Sequence, residues 1–168
     1  MDVYKQLRAL QIPGIPIIHD LILENDFLLL IEDYIHGQTL EQLLAEQTTL
    51  VYSDALAIMR RLCDILKSLH ALTPPIIHRD LKLSNIILTS ENLVYIVDFD
   101  TARYYESGQE QDTELLGTKE YAPPEQYGFG QSDARSDIYA LGIIFNRLLT
   151  GEYPKHQLAD NLSLIHIS

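Results

Sequence analysis

His78-Arg-Asp-Leu-Lys-Leu-Ser-Asn85 places four ionisable side chains and an amide between two segments that read as core. Upstream, Leu56, Met59, Leu62, Cys63, Leu66 and Leu69 recur at three- and four-residue steps. That spacing predicts an amphipathic helix, capped by Ser53 or Asp54 and stopped before Pro74-Pro75. Downstream, Ile86 to Leu88 and Val94 to Val97 flank the turn-forming Ser90-Glu-Asn92, which predicts a hairpin. Charged groups are not packed between core elements without a use, so this loop is the first candidate for chemistry. Further out, Ile15-Pro-Ile-Ile and Phe27 to Ile31, separated by Glu24-Asn25-Asp26, predict another antiparallel pair. Gly37 breaks that pattern, and Thr39-Leu-Glu-Gln42 fits a capping box opening a short helix to about Glu46. Ile138 to Leu149 is apolar on nearly every side and ends at Gly151, which predicts a helix buried all round.

A carboxylate and an amide five residues apart on one loop can divide labour, Asp80 facing a hydroxyl and Asn85 a cation. The string matches the catalytic loop of protein kinases, H-R-D-L-x-x-x-N, at every fixed position. The resemblance implies Asp80 as the base toward a protein hydroxyl, Lys82 as the cation beside the moving phosphate, and Asn85 as a Mg²⁺ ligand. Thirteen residues later Asp98-Phe-Asp100 stands where kinases carry D-F-G, so Asp98 is the second expected Mg²⁺ ligand and contact to ATP. Asp100 replaces the glycine, which removes backbone freedom and adds a negative charge. Gly117-Thr-Lys-Glu-Tyr-Ala-Pro-Pro-Glu125 is similar to the G-T-x-x-Y-x-A-P-E segment, and Thr118 with Lys82 implies serine or threonine as acceptor. Ser136-Asp-Ile-Tyr-Ala-Leu-Gly142 fits D-x-W-x-x-G with Tyr139 for tryptophan, so Asp137 is expected to be buried and to accept backbone hydrogen bonds from the catalytic loop.

Leu30-Ile-Glu-Asp-Tyr-Ile-His-Gly37 looks like the crossover that grips adenine. By that resemblance the Asp33 carbonyl and Ile35 amide meet the adenine edge, Ile87 forms the floor, and Glu32 takes the gatekeeper position. Leu7, Ile18, His78 and Phe99 match the regulatory spine. Glu114, or phosphorylated Thr113, is expected to offset Arg79 and order the activation loop.

Composition narrows the partners. A chain of 168 residues, 46% hydrophobic and 21% charged, suits one globular domain. Its net charge of −12 repels nucleic acid and anionic membrane surfaces. No apolar run reaches the span of about 18 residues that a membrane helix needs. Cys63 is the single cysteine and falls on the apolar side of its predicted helix, which excludes a disulfide framework and points to a reducing cytoplasm.

The expected fold is α+β and kinase-like: mostly the helical C-lobe, with a remnant of the N-lobe sheet. Residues 1–34 form the partial N-lobe, 35–160 the C-lobe, and 161–168 a non-native or read-through tail, with a native terminal strand as the alternative. Counting back from Pro13 puts the helix-C glutamate at Val3. No segment here supplies a glycine-rich loop or a V-A-I-K-type lysine, so the chain as written is expected to be inactive. Three functions are weighed. The first is a bacterial-type serine/threonine protein kinase using ATP and Mg²⁺. The second is a pseudokinase scaffold, and the third a small-molecule phosphotransferase, against which Thr118 and Glu125 speak.

Overall fold

The computed structural model describes residues 2–25, 27–105, 120, 121, 123 and 132–154. Four α-helices and three small sheets make up the described part, an α+β arrangement. Helix α1 (Asp2–Leu10) buries Val3, Tyr4 and Leu7, which share one face at helical spacing, and Asp2 in its first turn suits the helix dipole. The chain then turns at Gly14, whose φ of +86° favours glycine and whose carbonyl accepts a hydrogen bond from the Ile96 amide at 2.8 Å. A Cβ there would collide with the Ile65 side chain and lie 3.2 Å from the Val94 carbonyl oxygen.

Strands β1 (Ile18–Glu24) and β2 (Phe27–Glu32) form the expected antiparallel pair, with Leu21 opposite Leu30 and Ile22 opposite Leu29. Strand β3 (Gly37–Thr39) was not anticipated: Gly37 reads locally as a break, yet it enters a ladder opposite Thr89. Helix α2 (Leu40–Gln47) opens on the predicted capping box. The Gln42 amide donates to Thr39 Oγ1 at 3.1 Å and the Thr39 amide donates to Gln42 Oε1 at 2.8 Å.

Helix α3 (Tyr52–His70) is the central support, and two expectations about it change. Its N-cap is Val51, whose apolar side chain caps nothing, and Ser53 Oγ instead donates to Asp54 Oδ1 at 3.2 Å inside the first turn. Its buried face is Ala55, Ile58, Leu62, Ile65, Leu66 and Leu69, while Leu56 and Met59 are half-buried and Cys63 is exposed. Each step turns the helix by about 100°, so Cys63 rotates off the face centred on Leu62.

After β4 (Ile76–Ile77) and the loop at 78–82, a 3₁₀ turn (Leu83–Asn85) leads into β5 (Ile86–Thr89), which pairs with β6 (Val94–Ile96) as the predicted hairpin. Strand β7 (Arg103–Tyr104) closes on β4, with Ile77 opposite Arg103. Helix α4 (Ala134–Thr150) starts at Asp133, which accepts from the Arg135 amide at 2.8 Å, and stops at Gly151 with φ +71°. It packs against α3 and buries Ala140, Leu141, Ile143, Ile144 and Leu148. The expected all-round burial does not hold, because Ile138 is 53% exposed. No described helix is long and apolar enough to cross a membrane.

Candidate functional site

The backbone of the loop at 78–85 is held before its side chains are placed. Asp137, 1% exposed in α4, accepts from the His78 amide with Oδ2 and from the Arg79 amide with Oδ1, each at 3.0 Å. His70, at the end of α3, meets the same Oδ2 at 2.8 Å. A buried carboxylate is tolerated because these donors satisfy it. The clamp holds Arg79 at φ +70°, a region that L-residues avoid without outside support. Leu81 and Leu83, both 1% exposed, anchor the loop in the core on either side of Lys82.

On this frame Lys82 Nζ lies 2.6 Å from Asp80 Oδ2, and Asn85 Nδ2 donates to the Asp80 carbonyl at 3.0 Å and reaches its Oδ2 at 3.5 Å. Three of the expected site residues are therefore one constellation. His78 sits beneath them, fully buried, and burial pushes its imidazole below the usual range. Its two contacts suit the neutral ring protonated on Nε2: that nitrogen faces the Val97 carbonyl at 3.3 Å, and Nδ1 accepts from the Asp80 amide at 3.4 Å.

Asp98 is tied to the same loop through its neighbours. The Val97 amide donates to the Asn85 carbonyl at 3.0 Å, and Phe99 packs edge-on to His78 with ring centroids 4.7 Å apart. Leu7, Ile18, His78 and Phe99 are all buried. Asp98 itself is exposed with φ +64°, whereas Asp100 does not take a positive φ. The glycine that Asp100 replaces is therefore not demanded by this backbone.

Asp33 donates its amide to the Ile17 carbonyl at 2.9 Å, and its carboxylate meets His19 at 2.7 Å. Ile35 and Ile87 are half-buried, Ile87 opposite Thr39 in one ladder and Tyr95 in the other. Glu32 ends β2, and burial followed by the charges of Asp100, Asp98 and Asp33 raises its carboxyl above the usual range. Thr113, Glu114, Thr118 and Glu125 lie outside the described residues, as does 161–168.

Sequence reasoning missed three supports: His70 on Asp137, Thr101 Oγ1 donating to the His78 carbonyl at 3.0 Å, and Tyr4 donating to Asp100 at 2.6 Å. None has a local signal, since each joins residues at least 23 apart.

A sequence model of the family described as "Protein kinase domain" matches residues 3–167. The chain belongs to the protein kinase family. It is 34% identical over 161 residues to the serine/threonine-protein kinase PrkC of Bacillus subtilis (strain 168), covering 95% of this chain and 24% of that protein. It is 34% identical over 128 residues to the serine/threonine-protein kinase PknB of Mycobacterium tuberculosis (strain ATCC 25177 / H37Ra), covering 74% of this chain and 20% of that protein. The chain thus spans about a fifth to a quarter of the length of these relatives. Asn85 and Asp98 carry oxygen donors of the hard kind that magnesium takes, and they are the side chains that could hold such an ion.

Proposed function

We propose that this chain is part of a serine/threonine protein kinase that transfers the γ-phosphate of ATP to a protein hydroxyl in the cytoplasm. The observation that carries the reading is the Asp80–Lys82–Asn85 constellation on a loop clamped by Asp137. The two relatives bear the name serine/threonine-protein kinase, which supports the acceptor class. Asp80 orients the acceptor hydroxyl and takes its proton as the new O–P bond forms and ADP departs. Lys82, held on Asp80, presents positive charge to the phosphate in flight. Asn85 and Asp98 are the residues that would hold Mg²⁺, whose role when bound is to neutralise triphosphate charge. The Asp33 carbonyl and Ile35 amide take the adenine edge, with Ile87 beneath it. Residues 1–34 contribute to the smaller lobe and 35–160 to the larger. The acidic net charge favours protein over nucleic acid as the second substrate.

Asp80→Asn in the full-length protein tests this. Transfer of labelled γ-phosphate to protein serine or threonine should fall by about 10²- to 10⁴-fold while Mg²⁺-dependent ATP binding persists. Unchanged transfer would remove Asp80 as the base and the reading with it. The second reading, nucleotide binding without turnover, is favoured by the negative charge that Glu32 and Asp100 add beside Asp98. It would be established by an unsubstituted protein that binds Mg²⁺–ATP and transfers nothing.

A further inference from the structure

Tyr4 is 6% exposed on the core face of α1, and Val3 beside it offers no polar group. A buried phenol needs a partner for its hydroxyl. That partner is Asp100, 96 residues away, at 2.6 Å, the short distance of a hydroxyl donating to a carboxylate. Asp100 is otherwise exposed and has water available, so the contact fastens the loop to the helix without serving any need of the carboxylate.

What is fastened is the turn carrying Asp98. Phe99 anchors its middle against His78, and the Asp100 amide reaches Asp98 Oδ1 at 3.4 Å. Asp98 holds φ +64°, a left-handed conformation that is strained for a non-glycine residue. A turn strained at its functional residue relaxes unless both flanks are held. Val97, bonded to the Asn85 carbonyl, holds the leading flank; Phe99 and Thr101 tie the trailing flank back to His78, and Tyr4 adds the one described side-chain bond that ties Asp100 to a different element, helix α1.

We propose that the Tyr4–Asp100 hydrogen bond is a latch that fixes the Asp98 turn against helix α1, making Tyr4 a positioning residue for the magnesium–nucleotide complex. Asp100 is then a working substitution for glycine. The latch rests on the kinase reading above.

The test uses the full-length protein with Tyr4→Phe, which removes one hydroxyl, and Asp100→Gly at an exposed site. Each should speed backbone hydrogen exchange at residues 98–102 in the absence of nucleotide. Each should weaken ATP binding in Mg²⁺ by about tenfold, the scale of one charge-assisted hydrogen bond, and leave binding in EDTA unchanged. The double variant should be no worse than either single one, and Asp100→Asn, which keeps an acceptor oxygen, should retain most of the affinity. Additive losses, or exchange and Mg²⁺-dependent binding like those of the unsubstituted protein, would overturn the latch. An unsubstituted protein with no Mg²⁺-dependent ATP binding would instead defeat the kinase reading, and the positioning role would fall with it.

Discussion

His78 shows how one side chain couples chemistry to stability. It is fully buried and its pKa is depressed, chiefly by desolvation, although Asp137 and the Val97 carbonyl pull the other way. Above its ordinary value of 6.5 the ring is neutral in both folded and unfolded chains, and its contribution to stability is complete. As pH falls below 6.5 the unfolded chain binds a proton that the folded chain refuses, so stability declines. Urea midpoints measured down from pH 7.5 should show this loss, at no more than about 1.4 kcal/mol per pH unit from one group. His78→Phe should lower stability at neutral pH and flatten the acid dependence. An unaltered slope would mean that the imidazole is not held neutral.

The catalytic loop is set by another element rather than by its own sequence. Helix α4 delivers Asp137 to the His78 and Arg79 amides, and α3 delivers His70 to Asp137. Asp137→Ala leaves two buried N–H groups without their acceptor and should cost about 3 kcal/mol or more in chemical denaturation. Asp137→Asn keeps one acceptor oxygen and should fall between. A loss below about 0.5 kcal/mol for the alanine variant, as at an ordinary surface site, would show that the loop holds its shape without α4. Some element ends were legible in the chain, although the α3 start was not, its cap being Val51 and not Ser53 or Asp54. The capping box at Thr39 and Gln42 and the stop at Gly151 involve residues within a few positions of one another. Burial on helix faces was less legible, as Cys63 and Ile138 show, because a face is buried only where a neighbour covers it.

At the scale of the molecule, one buried cluster runs from α1 through α2 and α3 to the β5–β6 hairpin and α4. The β1–β2 hairpin joins it at Ile18, with Leu21 and Leu30 packed alongside, but leaves Leu23 60%, Phe27 78% and Leu29 57% exposed. Backbone hydrogen bonds open most readily where few apolar contacts must be broken. Amide exchange in this chain should therefore be slowest in α3, α4 and β5–β6 and faster in β1–β2. Equal protection of the hairpin and α3 would contradict the burial pattern.

The amino-acid order alone determined both hairpins and the α2 cap, which depend on residue type and spacing within short segments, where sterics and local hydrogen bonds decide. The kinase-like α+β class and the grouping of Asp80, Lys82 and Asn85 were legible through resemblance to a family's motif. The Asp137 clamp was foreseen through resemblance to a family and not from its own neighbourhood. Tertiary structure alone decided that Gly37 joins a ladder, that His70 braces Asp137, and that Tyr4 meets Asp100 across 96 positions. Such contacts arise when separate elements pack on a shared core, and no local pattern encodes which surfaces that packing brings together.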